Sequence, residues 1–210
     1  MQRVNRLVVG ISGASGAAIA IELLKQMQPR AGWETHLVIS RGARRTIEME
    51  TAYSLKEVET MATQCYAIED VGASIASGTF KCAGMVVAPC SMKTVSGIAH
   101  GFSENLLLRA ADVTIKERRR LILVARESPL SPIHLSNLLQ MCIRDRSFSL
   151  AIWNSRSASR CSPVLSISSS RIWRWRVRRT PRSFNDPSID SPGIDKLFNF
   201  NRGKPVAVTY

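Results

Sequence analysis

The chain has 210 residues, 45% of them hydrophobic, enough to bury one real core, which excludes wholesale disorder. Its formal net charge of +13 suggests a nucleic-acid or membrane partner, yet residues 1–140 hold 16 Lys/Arg against 12 Asp/Glu while residues 141–210 hold 13 against 4. The basic excess belongs to the last third and says little about the folded part.

Leu7-Val-Val-Gly-Ile11 is a short apolar run entering Gly-rich sequence, the signature of a buried parallel strand ending in a tight turn. Ala17, Ala20, Ile21, Leu24 and Met27 follow at helical spacing, and Pro29 ends that helix. Glu34–Ser40 reads as a second strand and Arg41–Glu50 as a second helix, whereas residues 54–80 show no clear period. Gly84–Pro89 is a third buried strand, with a helix starting near Cys90–Thr94. Ser103 is placed to cap a helix running through Lys116, with Leu106, Leu107, Ala110 and Val113 on its apolar side. Leu121–Ala125 is a fourth strand, and Ser131-Pro132 opens a helix continued by Leu135, Leu138 and Leu139.

Strands alternating with helices predict an α/β fold: three layers around a parallel sheet, Rossmann-like or flavodoxin-like. Its ligand site should lie at the carboxyl ends of the strands, just after residues 11, 40, 89 and 125. From about residue 141 the alternation stops. Residues 141–210 contain 13 Ser, 11 Arg, no Glu and 2 of the 12 Gly, so the expected organisation is a domain over 1–140 and an aberrant or disordered Ser/Arg-rich tail over 141–210. Within that tail, Arg171–Arg179 alternates Arg with Trp and Val, as nucleic-acid or membrane-active peptides do, but its surroundings favour accidental sequence.

Five cysteines (Cys65, Cys82, Cys90, Cys142, Cys161) form no CxxC, and three scattered histidines add no ligand spacing, so reduced thiols and no metal are expected. No apolar run approaches the roughly 18 residues of a membrane span, and no signal-peptide layout precedes the first strand. A cytoplasmic protein, with neither membrane nor nucleic acid as partner, is the expectation.

Gly10-Ile-Ser-Gly13-Ala-Ser-Gly16 lies at a strand-to-helix turn, where small residues let backbone and helix N–H groups approach a phosphate. It is GxxGxxG, not the GxGxxG dinucleotide fingerprint, and packing alone can also require such a turn. Ser40 after the second strand, and Ser91 and Thr94 with Lys93 after the third, bring hydroxyls and a cation to the same edge. Singly each hydroxyl also suits an N-cap; together they point to a phosphate-bearing cofactor. Arg126-Glu127 follows the fourth strand, and Arg109 and Lys116 lie seven apart on one helix face. These cations suit a second anionic group, with Glu50 and Glu127 as acid/base candidates, or else form solvated ion pairs. Cys90 has no histidine near it in sequence and reads as packing, and His36, His100 and His134 receive no catalytic role.

Val9–Ala17, Glu34–Ser40, Ala76–Phe80, Ala88–Thr94, Arg109–Val113, Lys116–Arg119 and Arg126–Leu130 together resemble the UbiX-type flavin prenyltransferases, in order over about residues 4–140. The resemblance implies an enzyme that binds reduced FMN and attaches a dimethylallyl group from dimethylallyl phosphate to flavin N5 and C6. The prenylated FMN serves UbiD-type decarboxylases in ubiquinone biosynthesis or aromatic acid decarboxylation. It implies FMN contacts from Gly13, Ala14, Ser15, Ser40, Ser91, Met92, Lys93, Thr94 and Arg126. Proton transfer falls to Ser15, Glu50 and Glu127, and the substrate phosphate to Arg109, Lys116 and Arg126. Ser77 and Gly78 resemble the loop beside the prenyl chain. A homo-oligomer, a dodecamer in the family, is implied, and no metal. The physical logic agrees: an allyl phosphate departs when fixed cations stabilise its developing charge, and the flavin must lose a proton to a nearby base.

The cysteine-decarboxylase flavoproteins are the alternative, but they carry a Pro-Ala-Ser-Ala-Asn-Thr string where this chain has Ala88–Thr94, and use a catalytic histidine with no match here. A second alternative is an FMN binder with impaired catalysis. The family continues past the residue-131 helix with a Gly-Ala-Val-Ile-type strand, a Pro-rich turn ending in Ala-Phe-Tyr and a closing helix, and this chain does not match that pattern after Gln140. Met141–Arg146 instead resembles a sequencing-adapter scar. A frameshift or chimera from about residue 141, truncating the domain at its carboxyl end, is therefore expected.

Overall fold

The computed structural model describes residues 4–127, 129–144 and 148–152. In chain order the elements are β1 (Asn5–Ile11), α1 (Ala17–Met27), β2 (Trp33–Ile39), α2 (Arg41–Glu50), α3 (Leu55–Thr60) and β3 (Gln64–Tyr66), then a 3₁₀ turn at Ser74–Ala76. They continue with β4 (Gly84–Cys90), α4 (Met92–Ala99), α5 (Leu106–Lys116), β5 (Arg120–Ala125), α6 (Pro132–Arg144) and β6 (Phe148–Ile152). All pairings are parallel, in the order β3-β2-β1-β4-β5-β6.

Successive strand residues face opposite sides of the sheet, and here both sides are covered, which is why the strands read as unbroken apolar runs. Leu7, Val9, Ile11, Leu37, Ile39, Val86 and Ile122 pack with α1, α2 and α3 through Leu24, Met27, Ile47 and Val58. Val8, Val38, Met85, Val87, Leu121 and Leu123 pack with α4, α5 and α6 through Val95, Leu106, Leu107, Leu138 and Met141. The expected three-layer α/β architecture is thus present.

Several local expectations are revised. Residues 54–80 are not irregular throughout. Ser54 and Glu57 form a reciprocal capping box that starts the six-residue α3, and β3 is too short for a period to show. Asn105, not Ser103, caps α5 by accepting from Leu108 N. Leu135 and Leu139 lie on the outer side of α6, at 47% and 56% exposure, while Leu138 and Met141 are buried.

Past residue 140, where the alternation was expected to stop, α6 runs on to Arg144, and Phe148–Ile152 pairs with β5 from Leu121↔Phe148 to Ala125↔Ile152. An unpaired β5 edge offers a row of N–H and C=O groups, and an apolar five-residue run of strand-forming character satisfies them. The expectations for the remainder of the tail, including the Arg171–Arg179 run, fall on residues outside the described ones.

Candidate active site

The sheet changes direction between β1 and β4: the chain builds outward through β2 and β3, then crosses back to lay β4 on the other side of β1. At such a switch point the loops after the two strands diverge and leave a crevice at their carboxyl ends. Ser12 stands at its base, 1% exposed. Its Oγ donates to Pro89 O at 2.9 Å and accepts from Ser91 N at 2.7 Å, joining the ends of β1 and β4.

The Gly-rich loop follows. Gly16 takes φ 103°, a conformation side chains resist, and a Cβ on Gly13 would stand 3.0 Å from Gly42 Cα, so the loop packs directly on the first turn of α2. At the far end of α2, the Glu50 carboxylate returns to accept from Gly16 N at 2.7 Å. Glu50 is thereby brought to the loop although it lies 34 residues away in sequence.

Helix starts differ around this edge. Ser40, Ser54, Ser91 and Asn105 each accept a backbone N–H at the start of α2, α3, α4 and α5. The N-terminus of α1 has no capping side chain of its own and no acidic residue in its first turn; Glu50 takes only the N–H of the N-cap Gly16, and the N–H groups of the turn beyond it stay open to a ligand. Arg126, at the end of β5, lies beside this start, its Cδ 3.5 Å from where a Cβ on Gly16 would be. Arg126 Nε is buried without a hydrogen-bond partner. A buried guanidinium N–H beside an uncapped helix start suits a phosphate, so the residues present fit FMN.

The hydroxyls at this edge have structural work as well. Ser40 and Ser91 are N-caps, the bland reading of each, and Ser91 Oγ lies 3.0 Å from Thr94 Oγ1. A capping hydroxyl accepts from the helix and retains its own proton to donate. Ala14, Ser15, Met92 and Thr94 are half-buried and Lys93 is exposed. Glu127 is half-buried directly after Arg126.

The two helix cations differ in place: Arg109 lies in the first turn of α5, which starts at this edge, and Lys116 is the last residue of that helix. α5 ends just before β5 begins, whereas Arg126 follows the end of β5, so a six-residue strand of about 20 Å separates the Lys116 end from the Arg126 end. Lys116 Nζ is 3.5 Å from Glu117 Oε1, and Arg109 is paired with Asp112 at 3.3 Å. Within one chain, Arg126 joins the Gly-rich loop, Glu50, Ser40 and Ser91, and Lys116 does not.

Burial pushes the Cys90 thiol well above its ordinary range, which accords with packing and not nucleophilic chemistry. His36 is also buried, its Nδ1 2.9 Å from Tyr66 Oη, and burial lowers its pKa despite the nearby Glu34. Cys65, Cys82 and Cys90 are free thiols, and no group of residues able to hold a metal occurs among the described residues.

Two structural contributors were not legible as site residues. Ser12 is distinguished in sequence only as a hydroxyl directly after a buried strand. Arg119 is one of three consecutive arginines, and nothing in the sequence singles it out.

The flavoprotein family matches residues 1–154. A probable UbiX-like flavin prenyltransferase of Streptomyces sp. (strain D7) is 56% identical over 136 residues, 65% of this chain and 68% of the relative. The crystal structure of AnUbiX (PadA1) in complex with FMN and dimethylallyl pyrophosphate superposes with TM-score 0.67 at 45% identity, covering 70% of this chain and 77% of that one. A dodecameric FMN-dependent UbiX-like decarboxylase from Escherichia coli O157:H7 gives TM-score 0.66 at 45% identity, covering 68% and 78%. The chain belongs to the flavoprotein family, within its UbiX-like flavin prenyltransferases.

Proposed function

We propose that this chain is a flavin prenyltransferase that binds reduced FMN at the β1/β4 crevice and receives a dimethylallyl group from dimethylallyl phosphate. The observation that carries the reading is the uncapped start of α1 beside the buried, unpartnered Nε of Arg126. Its likeness to the FMN-bound relative supports the same conclusion.

Gly13, Ala14, Ser15, Ser40, Ser91, Met92, Lys93, Thr94 and Arg126 are the residues that would hold the flavin. When bound, reduced FMN supplies the nucleophilic ring positions. The protein supplies fixed cations for the departing phosphate and carboxylates that hold a proton: Glu50 and Glu127, with the Ser15 hydroxyl beside them. Arg126, at the flavin edge, serves both phosphates. Arg109, in the first turn of α5, acts on the substrate phosphate from the crevice edge, and Lys116 from the far end of a strand. One chain does not bring these groups together, which favours a site completed in a homo-oligomer, as in the dodecameric relative.

The product's recipient is a UbiD-type decarboxylase, in ubiquinone synthesis or aromatic acid decarboxylation, and the enzyme works in the cytoplasm. No helix among the described residues is long and apolar enough to cross a membrane. The cysteine-decarboxylase alternative gains no support: His36 is engaged with Tyr66, His100 with Ser96 and His134 with Ser131.

The test is incubation of the chain with reduced FMN and dimethylallyl phosphate, followed by mass analysis of the released flavin. A mass increase of one dimethylallyl unit is expected. Stable flavin binding with no mass change would leave only a binder.

A further inference from the structure

Arg119 lies between α5 and β5, outside the crevice, with only 13% of its side chain exposed. Its Nη1 donates to Phe80 O at 2.5 Å and its Nη2 to Gly78 O at 2.6 Å, a two-pronged grip on a loop about 40 residues earlier. Nη1 also approaches Cys82 Sγ at 3.6 Å. On the other side, Nη2 lies 3.8 Å from Glu117 Oε2, and Glu117 Oε1 lies 3.5 Å from Lys116 Nζ. Gly78 closes the arrangement: a Cβ there would collide with the Glu117 carboxylate. The Phe80 ring is held separately, edge-on to His36 at 4.8 Å and under Arg6 at 5.2 Å.

A planar guanidinium can bond two carbonyls in one fixed orientation, which a lysine ammonium cannot reproduce. The loop, Arg119, Glu117 and Lys116 therefore form one connected unit. In it the exposed lysine pairs with a carboxylate that sits between Arg119 and Gly78.

We infer that Arg119 is a positioning residue for the transfer reaction: it clamps the Gly78–Phe80 loop and, through Glu117, sets where Lys116 presents its charge to the substrate phosphate. This rests on the reading of Lys116 given under the proposed function. Arg119 touches neither flavin nor substrate, so its removal should weaken use of dimethylallyl phosphate and leave FMN affinity unchanged.

The experiment compares the full chain with R119A, R119K and G78A. KM and kcat for dimethylallyl phosphate, FMN affinity by fluorescence, and amide hydrogen exchange over residues 77–82 are measured in each. R119A should raise KM by about tenfold, as losing a charge-assisted contact does, and R119K should recover part of it. G78A keeps Arg119 but displaces the Glu117 carboxylate, and should raise KM in the same direction; it decides the matter if R119A does not fold. Faster exchange over residues 77–82 should accompany R119A.

Wild-type KM in both R119A and G78A, or a KM rise matched by an equal loss of FMN affinity, overturns the positioning role. Unchanged amide exchange in R119A overturns the clamp itself. A wild-type chain that makes no product, yet shows loop protection that R119A lacks, overturns the prenyltransferase reading and leaves the clamp standing.

Discussion

Ser12 offers a sharp test of how the crevice is built. Ser12→Ala removes a single oxygen from a side chain that is 1% exposed, so little packing changes. Two bonds go with it, but their losses are unequal. Pro89 O still accepts from Ser12 N at 3.2 Å, so it keeps a partner. Ser91 N loses the hydroxyl that held it at 2.7 Å and has no other acceptor among the described residues. An unsatisfied N–H at this part-buried seam costs up to about 1–3 kcal/mol. For a domain of this size each kcal/mol lowers Tm by roughly 3 °C, which gives a fall of about 3–9 °C. The same N–H belongs to the α4 N-cap residue, so FMN affinity should decline together with Tm. Thermal unfolding followed by far-UV circular dichroism, with FMN titration by fluorescence, measures both. A Tm within about 1 °C of wild type with unaltered FMN affinity would show that the seam does not depend on Ser12.

Arg126→Met removes the half-buried cation at the α1 start while keeping most of its bulk; FMN affinity should fall by at least about tenfold, and binding like wild type in a fluorescence titration would refute the anion site. His36 gives a pH signature. Burial lowers its pKa below the ordinary 6.5, so the unfolded chain takes up a proton more readily than the folded one, and stability falls as pH drops below 6.5. Glu34, held low by Arg6, loses its own contribution only as pH falls below its ordinary 4.5, so urea midpoints measured between these values isolate the histidine. His36→Gln should flatten that slope, and an unchanged slope would assign it to another group. Cys90, buried and with its thiol pushed up, should resist iodoacetamide in the folded protein and react after denaturation; peptide mapping that finds Cys90 modified first would contradict its burial.

The sequence is most legible where one physical cause dominates. β1, β4 and β5 are buried on both faces, so each is largely a continuous apolar run, as is the Leu37–Ile39 end of β2, and α1 carries its apolar positions on one stripe. The crevice follows from topology, because loops after parallel strands share one edge. What local pattern could not reveal depends on distant partners. The six-residue α3 exists because a capping box starts it and Val58 packs against the sheet. β6 depends on the open edge of β5, and the composition around it pointed the other way. Ser12 acquires its role only because β4 returns beside β1 after some seventy residues of chain.

The cations show the same limit from the other side. Arg109, Lys116 and Arg126 lie within 18 positions of one another, and their sequence strings group them in one phosphate site. A parallel sheet undoes that proximity, because the helix before β5 ends at one edge and the loop after β5 begins at the other. Lys116 pairs with Glu117, while Arg126 stays beside the Gly-rich loop. A phosphate touching both cannot be served by this arrangement within a single chain, since about 20 Å of strand exceeds the combined reach of a lysine and an arginine side chain. If both residues act on one substrate, they come from different copies, and catalysis should disappear on dilution below the assembly's dissociation constant while FMN binding at the β1/β4 crevice persists.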